Sequence, residues 1–139
     1  MRSGKPLVLV VDDESHIVHV IQLKLENAGF DVVTARDGEE ALALATSARP
    51  DVVITDMQMP YIDGQELCKR LEADTTTRGI PAMIITAHGF ALTDVDRELT
   101  SIQAVVNKPF SPRELVTNVQ AMIAGKTVAA GANTGDNNA

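Results

Sequence analysis

Three carboxylates, a hydroxyl and an ammonium stand where short apolar runs end. Asp12 and Asp13 follow residues 7–11, Asp56 follows 52–55, Thr86 ends 82–86, and Lys108 follows 104–107. Carboxylates gathered within several ångströms repel one another by several kcal/mol at an effective dielectric of about 20, so such a group requires a cation. Lys108 supplies one positive charge. The surplus suits a hard divalent ion such as magnesium, which takes oxygen ligands and keeps water positions open to a phosphate oxygen. A carboxylate neutralised by metal and lysine can attack phosphorus in line and form an aspartyl phosphate. Asp56 fits that role because it directly closes a buried-type strand, where an unpaired charge is costly. Thr86 offers a hydroxyl to the same phosphate.

The elements that must bring these residues together are legible as an alternation. Five apolar, β-branched runs are each followed by a segment of helical period, the pattern of an open parallel sheet with helices on both faces. Residues 7–11 are the first strand, and Ile17, Val20, Ile21, Leu25 and Ala28 mark the inner stripe of a helix that stops at Gly29. A second strand spans 30–35, and Asp37 with Glu40 caps an alanine-rich helix from Gly38 to about Ser47. The third strand ends at Asp56, and a loop with Pro60 and Asp63-Gly64 leads into a helix bearing Leu67, Cys68 and Leu71. Residues 82–86 form the fourth strand, followed by a helix at roughly 93–100 with Val95 and Leu99 inward. A fifth strand at 104–107 precedes Ser111-Pro112-Arg113-Glu114, which combines an N-cap, a proline at the first helical position and a capping-box acid. Leu115, Val116, Val119, Met122 and Ile123 form the stripe of that helix. Ligands of such a sheet bind beyond the carboxyl ends of the strands, where the five chemical groups fall.

Composition narrows the function classes. A chain of 139 residues can bury a core without disulfides or a structural metal, and its one cysteine, Cys68, forms no internal disulfide framework and fits a reducing compartment. Nineteen acids against twelve bases give a net charge of -7, which opposes non-specific attraction to nucleic acid or anionic membrane and points to protein partners. No apolar run is long enough to span a bilayer, and the acids at 12–14 are wrong for a signal peptide, so the expected location is cytoplasmic.

In order and spacing, Val11-Asp12-Asp13-Glu14, Asp56-Met57-Gln58-Met59-Pro60, Asp63-Gly64, Thr86-Ala87 and Lys108-Pro109-Phe110 resemble the receiver domains of two-component response regulators. The resemblance covers roughly residues 7–123 and includes the single-domain chemotaxis regulator. It implies that Asp56 is the phosphoacceptor, that Asp13, Asp56 and the Gln58 backbone carbonyl ligate Mg2+ (or Mn2+) with Asp12 acting through water, and that Thr86 and Lys108 hold the phosphoryl oxygens. It implies a flavodoxin-like doubly wound sheet of order 2-1-3-4-5 with five helices and a cis Lys108–Pro109 bond. A histidine kinase or histidine phosphotransfer protein would supply the phosphate. A downstream protein would bind the face made by the fourth helix, fifth strand and fifth helix. On this reading residues 1–124 are the receiver domain and 125–139 a disordered polar tail. The protein is a signalling switch that catalyses only its own phosphorylation and slow dephosphorylation, with no direct contact to nucleic acid or membrane.

Departures from the common receiver pattern bear on output and lifetime. Many receivers carry an aromatic residue three before the lysine, which swings inward after the threonine; here the switch pair is Thr86 and Val105, which has no ring. Residues 98–103 lack the alanine-leucine and glycine-alanine pattern of many relatives. Gln58 and His88, two beyond Asp56 and Thr86, flank the path of the hydrolytic water and are expected to tune the dephosphorylation rate.

Other functions and blander roles fit less well. A haloacid-dehalogenase-like phosphatase needs a second acid two residues after its nucleophile, where this chain has Gln58. A flavodoxin-like nucleotide binder needs a glycine- or hydroxyl-rich loop after the first strand, and acids stand there instead. A phosphorylation-silent module of the same fold would lack a site residue, and all five are present. Asp12 and Asp13 alone would be helix-start acids. His16 and His19 read as a surface pair, Cys68 as a buried inert thiol, and Met57 and Met59 as loop packing. Tyr61 and Phe90 lie on loops beside the site, where they either pack over it or meet a partner.

Overall fold

Runs such as Leu-Val-Leu-Val-Val and Val-Val-Ile-Thr-Asp have no polar alternation, so both faces of each strand need a cover. The computed structural model of the chain describes residues 4–87 and 99–125. Within them the elements run β1 (Leu7–Val11), α1 (Ser15–Asn27), β2 (Asp31–Ala35), α2 (Gly38–Ala48), β3 (Val52–Asp56), α3 (Gly64–Ala73), β4 (Ala82–Thr86), β5 (Ile102–Asn107) and α4 (Pro112–Ile123). All five strands are parallel, in the order β2-β1-β3-β4-β5. The parallel sheet is the one the alternation predicts, and its doubly wound, flavodoxin-like order is the one the resemblance implies. The chain leaves β1 for β2 on one side and reaches β3 on the other, so a crevice opens beyond the ends of β1 and β3. Asp12, Asp13 and Asp56 stand there.

Alternate residues of each strand feed two separate cores. Val8, Val10, Ile54, Met83, Ile85 and Val106 pack with Val18, Ile21 and Leu25 of α1 and Leu115, Val119 and Met122 of α4. Leu9, Val11, Val53, Ile84 and Val105 pack with Ala41 and Ala45 of α2 and Leu67, Cys68 and Leu71 of α3. The central strands β1, β3 and β4 are buried along their whole length, as a sheet covered on both faces demands.

Helix ends follow the expected chemistry in two cases. Asp37 accepts from the Glu40 N–H at 2.8 Å and Glu40 accepts from the Arg36 N–H at 2.9 Å, while Asp63 accepts from the Glu66 N–H at 2.8 Å and fixes the start of α3. The capping box expected at Ser111 and Glu114 is not made: the Ser111 side chain caps nothing, and burial pushes the Glu114 carboxyl above its ordinary range. Pro112 alone marks that helix start.

Several boundaries and phases differ from expectation. β5 begins at Ile102 rather than 104 because Ala82 pairs with Ile102 before a register shift carries Met83 to Ala104. In α1 the inner stripe runs through Val18, Ile21 and Leu25, whereas Val20 is 45% exposed and Ala28 is the exposed C-cap. On α4 the buried Asn118 joins the stripe and Ile123 lies at its exposed edge. Most of the helix expected at roughly 93–100 lies within residues 88–98, outside the described residues; residues 99 and 100 are not helical, although Leu99 is buried as expected. Val95, His88, Phe90 and the tail beyond Gly125 also lie outside them. Thus α4 corresponds to the last of the five expected helices.

Candidate functional site

Each acid of the site is placed by the end of a strand. β1 delivers Asp12, whose N–H donates to the Ala35 carbonyl of β2 at 3.2 Å and whose Oδ1 accepts from the Glu14 N–H at 2.9 Å. This turn leaves Asp12 buried and aims the next residue, the exposed Asp13, at the same crevice. β3 delivers the buried Asp56, and the Met57 N–H donates to the Ile85 carbonyl of β4 at 2.7 Å. One carboxylate oxygen from each of Asp12, Asp13 and Asp56 falls within 4.8 Å of the others, the only grouping of three metal-ligating side chains of this kind among the described residues.

Lys108 is carried in from the far side of the sheet. Its N–H donates to the Thr86 carbonyl at 2.7 Å, extending the β4–β5 ladder past Asn107, and the following Lys108–Pro109 bond is cis, as the resemblance implies. The side chain crosses the end of β4, and Nζ stands 3.2 Å from Asp56 Oδ1 and 3.5 Å from Glu14 Oε1. Thr86, on the intervening strand, is buried at the carboxyl end of β4.

The protonation equilibria record the crowding. Burial, reinforced by the neighbouring Asp56 charge, pushes the Asp12 carboxyl up to about 6 against the pull of the Glu14 N–H. Burial also raises Asp56, although the hydrogen bond and charge of Lys108 oppose it. For Lys108, burial favours the neutral amine, but the hydrogen bond it donates to Asp56 and the charges of Asp56, Asp12 and Glu14 together hold the proton more tightly than usual.

A divalent cation fits this arrangement on two grounds. Among the described residues three acids meet one ammonium there, and Asp12 Oδ2 is buried without a hydrogen-bond partner. The all-oxygen donor set is that of magnesium or manganese rather than of zinc.

The remaining sequence assignments sort by place. Gln58 is exposed on the loop after β3, and His88 lies outside the described residues. Val105 is buried opposite Ile84 in the β4–β5 pairing and packs in the α2–α3 core. Cys68 is fully buried and its thiol is pushed up to about 12, chiefly by burial, which fits an inert thiol. Met59 is buried and Met57 packs against the core. Tyr61 is fully exposed at a positive φ of 69°, so it does not pack over the site. Two features escaped the sequence reading. One is the contact of Glu14 with Lys108, signalled only by a third acid after Asp12 and Asp13. The other is the approach of Gly64 to the Asp56 backbone, hinted at by the Asp63-Gly64 pair.

Comparison with known proteins agrees with this geometry. The family model of the response regulator receiver domain matches residues 8–120. The alkaline phosphatase synthesis transcriptional regulatory protein PhoP of Bacillus subtilis is 39% identical over 123 residues, covering 88% of this chain and 50% of that protein. The DNA-binding dual master transcriptional regulator RpaA of Synechocystis is 33% identical over 118 residues, covering 85% of this chain and 49% of that protein. The chain thus spans about half the length of the curated relatives it matches. Among solved structures, a putative response regulator from Chloroflexus aurantiacus superposes with a TM-score of 0.79 at 34% identity, covering 87% of this chain and 99% of that one. The chemotaxis response regulator CheY4 of Vibrio cholerae gives a TM-score of 0.78 at 32% identity, covering 86% and 99%. A family match over most of the chain, carried on the same fold with the acids and the lysine gathered at one crevice, makes this chain a member of the response regulator receiver domains.

Proposed function

We propose that this domain is a phosphoacceptor switch in which Asp56 takes a phosphoryl group from a histidine kinase or histidine phosphotransfer protein. One observation carries the reading: the Lys108 ammonium lies 3.2 Å from Asp56 Oδ1, in a crevice where the carboxylates of Asp12, Asp13 and Asp56 converge. Asp56 is fixed at the end of a buried strand, so its oxygen meets an incoming phosphorus without reorganising the backbone. Lys108 moves from the carboxylate to a phosphoryl oxygen as the negative charge shifts outward, and the Thr86 hydroxyl donates to another. Asp12, Asp13, Asp56 and the Gln58 carbonyl would hold Mg2+ or Mn2+, which supplies charge neutralisation and polarises the phosphoryl oxygens. Gln58 and His88 then set the access of the hydrolytic water, and a Gln58→Ala, His88→Ala double variant should alter the dephosphorylation rate.

The phosphorylated state alters binding to a downstream protein through β5, α4 and the helix expected before β5. It acts as a signalling domain rather than an enzyme on other substrates, and the acidic net charge of -7 favours protein over nucleic-acid contact for this domain. No described helix is long and apolar enough to cross a membrane, and a cytoplasmic location fits. Incubation with Mg2+ and a small phosphodonor, read by intact mass, tests the reading. Wild type should gain one phosphoryl group and Asp56→Asn none; equal labelling of the two, or none of wild type, overturns it.

A further inference from the structure

Among the described residues Lys108 has two carboxylate partners, of which one is the proposed phosphoacceptor. Its Nζ lies 3.2 Å from Asp56 Oδ1 and 3.5 Å from Glu14 Oε1, and side-chain exposure rises from 7% at Asp56 through 23% at Lys108 to 51% at Glu14. The three therefore form a charge ladder running from a buried acid out to solvent. Backbone bonds hold Glu14 there: its N–H donates to Asp12 Oδ1, and its carbonyl accepts from the Ile17 and Val18 N–H groups at the start of α1. Although Glu14 is the N-cap residue of α1, its side chain makes no capping bond. The carboxylate thus reaches Lys108 at the mouth of the site instead of capping the helix.

An in-line transfer to Asp56 places the leaving group on the side of phosphorus away from the attacking oxygen. Because Asp56 is buried, that side faces solvent and Glu14. We infer that Glu14 is a specificity-determining residue, disfavouring donors with an anionic leaving group relative to donors whose leaving atom is a protonated nitrogen. This rests on Asp56 being the phosphoacceptor. With acetyl phosphate, an Asp56 oxygen bonds to phosphorus, the P–O bond to the acyl group breaks, and acetate departs with the bonding pair and a negative charge. With phosphoramidate the same oxygen attacks, the P–N bond breaks, and the nitrogen, already protonated in the zwitterionic donor, departs with the pair as neutral ammonia. Glu14 repels the first donor throughout and faces the cationic end of the second, so it separates them by charge.

The two donors, compared at saturating Mg2+ on wild type, Glu14→Gln and Glu14→Asp, test this. The apparent second-order rate of labelling is read by intact mass. Glu14→Gln should accelerate labelling by acetyl phosphate roughly threefold to tenfold and by phosphoramidate less than about twofold, since one charge at such a distance is worth on the order of a factor of several. The gain should shrink as salt shortens the screening length, and Glu14→Asp should keep the wild-type order of donors. Equal gains with both donors, a gain indifferent to salt, or no gain overturns the role of Glu14. Labelling of no form by either donor, or labelling that persists in Asp56→Asn, overturns instead the phosphoacceptor reading beneath it.

Discussion

Gly64 lies so close to the Asp56 carbonyl that no side chain fits between them: a Cβ on Gly64 would stand 2.6 Å from that oxygen and 3.0 Å from Met57 Cα. The Gly64 N–H donates to the Met57 carbonyl at 2.8 Å, so the first turn of α3 rests directly on the backbone of the proposed phosphoacceptor. Both obstructing atoms are main chain, and no flexible side chain can yield. Gly64→Ala must displace either α3 or the end of β3. It should cost about 1–3 kcal/mol in urea denaturation and slow labelling of Asp56. Gly79 is the control, because a Cβ there meets nothing within 4 Å; Gly79→Ala should be neutral or stabilise by up to about 1 kcal/mol. Equal stabilities for the two variants would refute the close packing.

Lys108 restrains Asp56 in a way that a titration can read. Burial raises the Asp56 carboxyl, and the hydrogen bond and charge of Lys108 are what pull it back. Lys108→Met removes both, so Asp56 in the metal-free protein should titrate at a higher pH than in wild type, followed by carboxyl 13C resonances. The same variant should lose at least about tenfold in labelling rate, since it lacks the donor to the developing phosphoryl charge. Unchanged titration of Asp56 would show that the 3.2 Å contact does not persist in solution.

Why the site was legible and other features were not follows from the range of the interactions. Asp12, Asp13, Asp56, Thr86 and Lys108 are legible because each stands at or just past the end of a strand, and parallel strands must present their carboxyl ends at one edge. Strand termini are a local signal with a global consequence. Val20 of α1 fits the inner stripe by period yet is exposed, because period alone does not separate an apolar residue beside the true stripe from one within it. Ser111 and Glu114 match a capping box in sequence, yet Glu114 is drawn into a partly buried setting by tertiary packing. Contacts between distant segments, such as Glu14 with Lys108 or Glu72 with Ser101, depend on loop paths that no short motif encodes.

Glu72 near the end of α3 anchors the chain as it enters β5. Its Oε2 accepts from the Ser101 N–H at 2.9 Å and from the Ser101 hydroxyl, while the Ser101 carbonyl accepts from the Ala82 N–H at 2.8 Å. Ser101→Ala removes one of the two bonds to Glu72 and should cost about 0.5–1.5 kcal/mol, whereas Glu72→Ala removes both and should cost more. Glu72→Ala should also speed amide exchange at Ser101 and Ile102 while leaving β1 protected. Equal costs for the two variants, or uniform exchange across the sheet, would argue against a local anchor.

The burial of Asp12 ties stability to pH, and on the proposed reading to metal as well. Burial and the neighbouring Asp56 raise its carboxyl from 3.8 to about 6, so the folded state binds this proton more tightly than the unfolded chain does. Its contribution to stability is therefore complete below about pH 4 and lost as pH rises through about 6, a difference on the order of 3 kcal/mol. In EDTA, Asp12→Asn should abolish that part of the profile and leave the protein more stable than wild type at pH 7.5, because the amide keeps an acceptor for the Glu14 N–H without the charge. A bound divalent cation reverses the balance by favouring the ionised carboxylates. Mg2+ should raise the melting temperature of wild type more at pH 7.5 than at pH 5, and Asp12→Asn should lose most of that gain. Urea denaturation of both proteins from pH 4 to pH 8, with and without Mg2+, measures each part. Parallel wild-type and Asp12→Asn profiles in EDTA would mean that Asp12 is already ionised well below pH 6 and that its buried oxygen is solvated in the free protein.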